Sequence, residues 1–278
     1  MSPKQGHLIL MRHGQSMWNV RPGHPSPTWR YAGAVDVPLS EEGIHEALAA
    51  GRALRSLSID VVYCSMLIRA QTTTLIALAS HEDGKAPLLV RDTEQGLPRG
   101  IRVHTGQMSE SSRQTVLPVY CATQLNERSF GDLQGVYDHE QKKLYTKSDL
   151  DAFRRDWYVP FPGGESQAEC YDRSAQFFER HIRAQLAAGR SVLVVAHGFV
   201  VRAILAHILE LSPRQYCTEM VLDLKHDPKS QLASKNAIPR IFQYTPKEEE
   251  GNKRSAGTFT DVTHQYPLLP DEPGSSKL

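Results

Sequence analysis

Cysteine is scarce in this chain, and the few cysteines form no recognisable cluster. Cys64, Cys121, Cys170 and Cys217 stand far apart, and no Cys-x-x-Cys pair occurs. Closely spaced cysteines mark zinc sites, redox sites and the disulfide frameworks of small secreted domains. The spacing therefore argues against those classes, and we expect four reduced thiols in a cytoplasmic protein.

Excess charge of one sign and long apolar runs are also absent. The 32 lysines and arginines nearly balance the 31 aspartates and glutamates, which leaves a formal net charge of +1. A main role in binding nucleic acid or an anionic membrane requires a basic excess. No apolar run has transmembrane length, and the apolar residues after Lys4 are too few for a secretory signal. We expect a soluble intracellular protein with neither a nucleic-acid nor a membrane partner.

Metal-ligand spacing is missing as well. The chain has 12 histidines, yet no HExxH or comparable ligand cluster occurs. We therefore expect a protein that uses no metal and no other cofactor. Nothing in the composition indicates an oligomeric state.

What the chain does have is enough apolar residues for one large core. Of its 278 residues, 40% are hydrophobic, and about 250 residues is a common size for a single α/β domain. Ser40 and Ser166 are placed as helix N-caps. The buried face predicted for the first of these helices comprises Ile44, Ala47, Leu48, Gly51 and Leu54. Besides the two strands described next, strands are predicted at residues 59–64, 88–90, 220–224 and 238–244.

The stretch LILMRHGQSMWN contains the first chemically informative residues. Residues 8–11 are a continuous apolar run, typical of a short strand covered on both faces. The strand delivers Arg12, His13 and Gly14 to its C-terminal end, where open parallel sheets bind ligands. Gly14 permits a sharp turn and a close approach to a ligand, and a helix beginning near Gln15 would direct N–H groups at an anion.

A second stretch repeats this design far along the chain. Residues 191–196 (SVLVVA) predict another buried strand, which ends in His197 and Gly198 before a helical pattern that carries Arg202. Two strands that each end in His-Gly, each with an arginine close by, favour a shared site. The alternative is a pair of satisfied core histidines.

At these residues the chain resembles the histidine phosphatase superfamily, also called the phosphoglycerate mutase-like family. Six blocks carry the resemblance, in the family's order: RHGQSMWN at 12–19, DVPLSEEG at 36–43, CSMLIRAQTT at 64–73, LNERSFGDLQG at 125–135, PGGES at 162–166 and VVAHGFVVRA at 194–203. The resemblance implies an α/β fold, a three-layer sandwich in which helices flank a mostly parallel sheet.

The domain organisation follows from the extent of the blocks and from composition. Residues 1–245 are expected to form one histidine phosphatase domain, with an insertion at 97–120 that has no clear period. Residues 136–160 mix charged and scattered apolar residues, which suits one or two amphipathic helices forming a lid over the strand ends. Residues 246–278 are rich in Lys, Glu, Gly, Ser and Pro, and we expect a disordered tail.

The resemblance implies a site for phosphoryl transfer. During transfer the phosphoryl group spreads negative charge over its oxygens. His13 is the predicted nucleophile, because a neutral imidazole nitrogen attacks phosphorus and forms a phosphohistidine. Arg12, Arg69 and His197 would supply positive charge, and Asn19 a neutral donor. His197 would work either charged or as a hydrogen-bond donor. The role of Arg69 is implied by the resemblance, the alternative being a surface charge.

The resemblance places the acid and base at Glu127, which would protonate the leaving oxygen and then deprotonate water. Its alternative role is an ion pair with Arg128, and Asp132 is the fallback acid. The full predicted set of substrate-binding residues is Arg12, Gly14, Asn19, Gly33, Arg69, Arg128, Arg154, Arg155 and Gly198. The expected partner is a phosphorylated small molecule.

Departures from the mutase pattern favour the phosphatase branch of the family. Asp138 stands where mutases carry a lysine, and Phe199 where they carry an asparagine. Both changes remove groups that hold a phosphoglycerate, so we expect water to accept the phosphoryl group. Arg154 and Arg155 match a mutase arginine pair, which keeps a cofactor-dependent phosphoglycerate mutase as the alternative. A catalytically inactive relative that binds a phosphorylated partner, and a purely structural role, are the alternatives from other classes.

Overall fold

The strand that carries Arg12 forms because its residues are apolar on both faces. In the computed structural model, which describes residues 6–20, 29–79, 81–91, 116–224, 230–246 and 257–266, this strand is β1, His7–Arg12. Leu8 and Leu10 pack into one apolar cluster, and Ile9 and Met11 into another. Because side chains alternate across a strand, the two clusters lie on opposite faces of the sheet. Helices therefore cover both faces, as the three-layer prediction requires.

Seven strands of the described residues form one sheet in the order β3-β4-β2-β5-β1-β6-β7. The strands after β1 are β2 (Val61–Ser65), β3 (Ala86–Arg91), β4 (Val116–Ala122), β5 (Val192–Ala196), β6 (Arg240–Thr245) and β7 (Thr258–Asp261). The pairs from β3 across to β1 are parallel, whereas the β1–β6 and β6–β7 pairs are antiparallel. The predicted α/β class with a mostly parallel sheet is confirmed.

Eight α-helices are found in the described part of the chain. They are α1 (Glu41–Leu54), α2 (Ile68–Leu78), α3 (Asp138–Leu144), α4 (Lys147–Arg155), α5 (Gln167–Phe177), α6 (Arg183–Ala187), α7 (Gly198–Ile208) and α8 (Pro213–Leu224). Ser40 caps α1 by accepting from the N–H of Gly43, and Ser166 caps α5 by accepting from the N–H of Glu169. Both predicted caps are confirmed. None of these helices combines the length and the apolarity that crossing a bilayer demands.

The register of β1 and β5 brings the two His-Gly pairs together. Arg12 lies opposite Ala196 in the parallel ladder. The next residues along the two strands are His13 and His197, and the N–H of His13 donates to the carbonyl of Ala196 at 3.0 Å. Two distant parts of the sequence thus meet at one edge of the sheet.

Two of the predicted elements are of the wrong kind. Residues 220–224, predicted as a strand, are the last turn of α8. A short apolar run does not distinguish a strand from a buried helical turn. No helix begins near Gln15, because the chain instead turns after Gly14 and Ser16 forms an isolated bridge to Leu39.

The predicted boundaries of the insertion and of the C-terminal tail were wrong. The predicted insertion at 97–120 overlaps β4, which lies inside the sheet between β3 and β2. Residues 97–115 lie outside the described residues. The predicted tail contains β7, which pairs antiparallel with β6, and a helical turn at Thr263–Gln265, so its disorder is wrong for this segment. Tail residues 247–256 and 267–278 lie outside the described ranges.

The buried face of α1 is narrower than predicted. Ala47, Gly51 and Leu54 are buried, but Ile44 is 42% exposed and Leu48 is 46% exposed. The inner face uses small residues because the chain after β1 passes very close to this helix. A Cβ on Gly43, for example, would lie 1.9 Å from the carbonyl oxygen of Gln15.

Candidate active site

His13 is held in the tautomer that a nucleophile requires. Its Nδ1 lies 2.6 Å from the carbonyl oxygen of Gly14. A carbonyl only accepts, so Nδ1 carries the proton and Nε2 keeps its lone pair. Burial, and then the charges of Arg69 and Arg12, hold the pKa of His13 well below its usual value. The ring is therefore neutral near pH 7, with Nε2 ready to attack.

His197 lies beside His13, and the two ring centroids are 4.9 Å apart. The ring is fully buried, and its Nε2 lies 2.7 Å from Oγ of Ser65 at the end of β2. Burial lowers the pKa of His197 well below its usual value, and Arg69, His13 and Arg12 lower it further. In the free protein His197 is thus a neutral ring, which of the two predicted roles favours that of a hydrogen-bond donor.

Arg12 brings a buried positive charge from β1 to the cavity wall. Its Nη1 donates to the carbonyl of Ser234 at 3.4 Å, whereas its buried Nε has no partner among the described residues. Burial, and then the like charge of Arg202, lower the pKa of Arg12 to about 10. The group therefore stays charged at neutral pH and keeps an uncommitted donor for an anion.

Arg69 approaches the same point from α2. It is 1% exposed, which rules out the alternative of a surface charge, and it lines the cavity. Its Nη2 donates to the carbonyl of Gly33 and its Nη1 to that of Val35, both at 2.7 Å. Gly33 takes a φ of +50°, a conformation that favours glycine, and this turn presents the carbonyl that orients Arg69. Burial lowers the pKa of Arg69 to about 10, so it too remains charged.

Glu127 is aimed into the cavity by backbone donors. Its Oε1 accepts from the N–H of Arg128 at 3.0 Å and from the N–H of Phe199 at 3.2 Å. The second donor belongs to the first turn of α7, where N–H groups have no helical partner. Glu127 lines the cavity while being only 9% exposed. This is a suitable position for a group that exchanges protons with a buried substrate.

The Arg128 guanidinium, predicted to bind substrate, has contacts elsewhere and does not line the cavity. Its Nε donates to the carbonyl of Glu165 at 2.9 Å, and the side chain is fully buried against Phe161, away from the cavity wall. The alternative in which Glu127 serves mainly as its ion-pair partner finds no support, because it is the Arg128 backbone that bonds to Glu127. Asp132, the fallback acid, is exposed and does not line the cavity.

The remaining predicted contacts divide into those at the cavity and those elsewhere. Asn19, Gly33, Arg154 and Gly198 line the cavity. Asn19 is fixed because its Oδ1 accepts from the N–H of Ser16 at 2.5 Å, which leaves its NH₂ group as a donor.

Gly14 and Arg155 were predicted to bind substrate and do not line the cavity. The N–H of Gly14 donates to Oγ1 of Thr73 at 3.0 Å, and the residue packs against Gly43. Its small size serves backbone packing rather than anion binding. Arg155 faces outward and forms an exposed ion pair with Asp151, at 3.6 Å.

The cavity extends well beyond the anion site, with a volume of about 1100 Å³. The predicted pair of helices in 136–160 is present as α3 and α4, and Asp138 and Arg154 from this segment line the cavity. Arg154 donates from Nε to the Tyr31 hydroxyl, which also lies at the wall. Within the described part of the chain, no group of three or more His, Cys, Asp or Glu is arranged to hold a metal ion.

The predicted set of site residues left out two features of the wall. Arg202 donates from Nε to Asp223 of α8 at 2.6 Å, and both residues line the cavity. Arg202 follows the second His-Gly by one helical turn, so this spacing was the available signal. Lys235 and Asn236 also line the cavity, but they come from a segment with no motif.

Comparison with known proteins identifies the family. The model of the histidine phosphatase superfamily (branch 1) matches residues 8–93 and 103–224. The 2,3-bisphosphoglycerate-dependent phosphoglycerate mutase 1 of Arabidopsis thaliana is 36% identical over 214 residues, which are 77% of this chain and 60% of that protein. The corresponding mutase of Protochlamydia amoebophila is 36% identical over 227 residues, or 79% of this chain and 96% of that protein. The chain thus spans about 60% of the length of the plant relative.

Solved structures share the fold at lower identity. A mycobacterial glucosyl-3-phosphoglycerate phosphatase aligns with a TM-score of 0.63 at 22% identity, covering 93% of this chain and 97% of that one. The alpha-ribazole phosphatase of Shigella flexneri aligns with a TM-score of 0.58 at 20% identity, covering 95% of this chain and all of that one. Fold, matched sequence and the paired His-Gly strand ends agree, and the chain belongs to the histidine phosphatase superfamily, branch 1.

Proposed function

We propose that the protein hydrolyses a phosphomonoester through a phosphohistidine on His13. The observation that carries this proposal is the hydrogen bond from His13 Nδ1 to the Gly14 carbonyl, which leaves Nε2 unprotonated at a cavity whose wall includes Arg12 and Arg69. A nitrogen lone pair next to fixed cations is what an attack on a phosphate ester requires.

The reaction divides into two transfers. In the first, Nε2 of His13 bonds to phosphorus, the ester P–O bond breaks, and protonated Glu127 gives its proton to the leaving oxygen. In the second, the Glu127 carboxylate takes a proton from water, whose oxygen bonds to phosphorus as the P–N bond breaks. The products are an alcohol and inorganic phosphate, and both His13 and Glu127 return to their starting states.

The arginines stabilise the negative charge of the phosphoryl group and take no part in the bonds that form or break. A phosphoryl group in transfer is loosely bonded and highly charged, so it is stabilised mainly by cations and donors fixed in advance. Arg69 is held by two carbonyls and needs no reorganisation, and Arg12 keeps its Nε uncommitted. Asn19 adds a neutral donor. This arrangement supports phosphoryl transfer to water and to an alcohol equally well.

Two residues favour water as the acceptor. Phe199 lines the cavity, offers no side-chain hydrogen bond, and packs against Phe130 with ring centroids 5.7 Å apart. Asp138 also lines the cavity, and its carboxylate is paired with Lys142, so this position offers no cation to a substrate carboxylate. Each missing charge-assisted contact costs about 1.5–3 kcal/mol. Weak retention of the dephosphorylated alcohol lets it leave before it can be phosphorylated again.

A phosphoglycerate mutase is the second candidate, for two reasons. Arg154 lines the cavity and is oriented by Tyr31, as a carboxylate-binding group would be. Relatives at 36% identity are named as mutases. The second arginine of the pair, Arg155, is turned to solvent, so the match to the mutase pattern is half complete.

The test supplies 3-phosphoglycerate with a catalytic amount of 2,3-bisphosphoglycerate and measures 2-phosphoglycerate against free phosphate. Phosphate release that exceeds isomerisation supports the proposal, and the reverse ratio establishes the mutase. The matched variants Phe199→Asn and Asp138→Lys should both raise the ratio of isomerisation to hydrolysis. Screening a set of phosphorylated metabolites then covers the case of another substrate. Absence of turnover with any ester would indicate an inactive relative.

A further inference from the structure

His197 has a partner on one nitrogen only, and that partner is part of a chain of directed hydrogen bonds. Nε2 lies 2.7 Å from Oγ of Ser65. Nδ1 is buried and has no partner among the described residues. A buried nitrogen without a partner is costly, and in a folded protein it calls for an explanation. The bonds of Ser65 supply one.

The Asn126 side chain fixes the direction of the chain. Its Oδ1 lies 2.9 Å from the N–H of Met66, which only donates, so the oxygen rather than the NH₂ group faces this point. The same Oδ1 lies 2.9 Å from Oγ of Ser65. Two oxygens at that distance need a proton between them, and the only one available is the Ser65 hydroxyl proton.

With its proton committed to Asn126, Ser65 only accepts from its other neighbours. The N–H of Leu67 donates to Oγ at 3.1 Å. The remaining contact, from Nε2 of His197, satisfies both atoms only when Nε2 carries the proton. A neutral His197 then has its lone pair on Nδ1, which is opposite to the tautomer of His13.

We propose that Ser65 and Asn126 are positioning residues that keep the single proton of His197 on Nε2, so that binding of a tetrahedral dianion at the site takes up one proton at Nδ1. This inference rests on the proposed function, because the dianion is the phosphoryl group of that reaction. A bare Nδ1 repels an anionic oxygen, whereas a protonated Nδ1 donates a charge-assisted hydrogen bond to it. His197 is thereby converted from a neutral ring into a cation only when the substrate is in place.

The charges around His197 agree with this sequence of events. The titratable and charged groups near it are Arg12 from β1, His13 directly after β1, Arg69 from α2, Arg173 from α5, and Glu127, which accepts from the N–H of Phe199. Arg173 is already paired with Glu165. Burial is the main reason that the pKa of His197 is low in the free protein, and the arginines lower it further. An incoming dianion offsets two of these positive charges and so removes the part of the penalty that the arginines impose.

The experiment measures proton uptake by titration calorimetry with sulfate, in buffers that differ in ionisation heat. Sulfate is tetrahedral and remains a dianion near neutral pH, so any proton taken up comes to the protein. His13 Nε2 and the Glu127 carboxylate are the other groups that could accept one, and therefore His13→Gln, made together with Glu127→Gln, is the reference protein. We expect the reference protein to take up close to one proton, and its sulfate affinity to fall about tenfold for each unit of pH rise.

The control variants test whether the proton uptake depends on the Ser65 hydroxyl or changes with any substitution at that position. In the reference background, Ser65→Thr keeps the hydroxyl and should keep the uptake. Ser65→Ala frees Nε2, allows the neutral ring to carry its proton on Nδ1, and should bind sulfate with uptake reduced to near zero. Sulfate binding without uptake in the reference protein, or equal uptake in the Ser65→Ala variant, would overturn the inference.

Two further outcomes keep the inference distinct from the proposed function. Nitrogen-15 spectra of labelled histidines report the tautomer of His197 directly in the unaltered protein, without relying on a variant that must fold. The Nδ1-protonated tautomer would overturn the inference while leaving phosphate hydrolysis intact. If neither sulfate nor inorganic phosphate binds at all, the proposed function fails, and the inference fails with it.

Discussion

The ends of β1 and β5 carry the same dipeptide and put it to different uses. After β1, Gly14 packs against Gly43, and a Cβ on Gly14 would lie 2.4 Å from the Gly43 carbonyl oxygen. After β5, Gly198 begins α7 and faces the cavity. The first glycine allows two backbones to touch, and the second keeps space open for a substrate.

The histidines differ in what sets their tautomer. His13 is fixed by the carbonyl of the residue that follows it, so its state depends on local backbone geometry. His197 is fixed by Ser65, which is 132 positions away in sequence and belongs to a neighbouring strand. We conclude that the nucleophile is specified locally, whereas the group that assists it is specified by the assembled sheet. Each prediction below tests one side of this contrast.

The largest effect is expected for His13→Ala. Without the nucleophile there is no phosphohistidine, and turnover should fall by more than about 10⁴-fold. Brief incubation of the unaltered protein with a labelled ester should give an adduct that is labile in acid and stable in alkali. A variant that still acquires this label would show that another residue is the nucleophile.

His197→Ala should have a smaller effect of a different kind. Loss of one fixed donor to a developing charge commonly costs about a hundredfold to a thousandfold in rate. His13 should still be labelled, but more slowly, because its own tautomer does not depend on His197. Rapid-quench measurement of labelling and of dephosphorylation checks both steps. Complete loss of labelling would mean that the two histidines act as one unit.

Much of this contrast was predictable from the sequence. The apolar runs before both His-Gly pairs predicted two neighbouring strands, and the family blocks placed His13, His197, Arg12, Arg69 and Glu127 at one site. The structure brings these side chains close together, and the sequence could predict this because each residue lies at a fixed offset from a strand end or within a contiguous block. The same locality explains why the caps at Ser40 and Ser166 were predictable.

The rest required contacts that no local pattern encodes. Arg128 is adjacent to Glu127 in sequence, yet its guanidinium bonds to the carbonyl of Glu165, which the loop after α4 brings beside it. Ser65 and Asn126 meet only because the ends of β2 and β4 are neighbours in the sheet. Residues 258–261 belong to a polar stretch of the sequence, and they form a strand because they pair with β6.

The two glycines should respond differently to alanine. In Gly14→Ala the new Cβ meets backbone on another element, which cannot move cheaply, and we expect a loss of about 3 kcal/mol in the free energy of unfolding. In Gly198→Ala it lies 3.0 Å from Nη1 of Arg202, the end of a flexible side chain. That variant should lose less than about 1.5 kcal/mol but bind phosphate more weakly. Urea unfolding and phosphate titration measure the two effects, and equal destabilisation would contradict the contrast.

The smallest expected effect is that of a chelator, which should leave the rate unchanged. A metal ion bound between the two histidines would occupy Nε2 of His13 or Nδ1 of His197 and so remove the lone pair or the donor that each supplies. Arg12 and Arg69 already place two positive charges at this point, and a third cation beside them would be repelled. Dialysis against EDTA followed by a phosphate-release assay checks this. If activity disappears on dialysis and returns with a divalent ion, both histidines are metal ligands. That result would contradict the assignment of His13 as the nucleophile and of His197 as the donor.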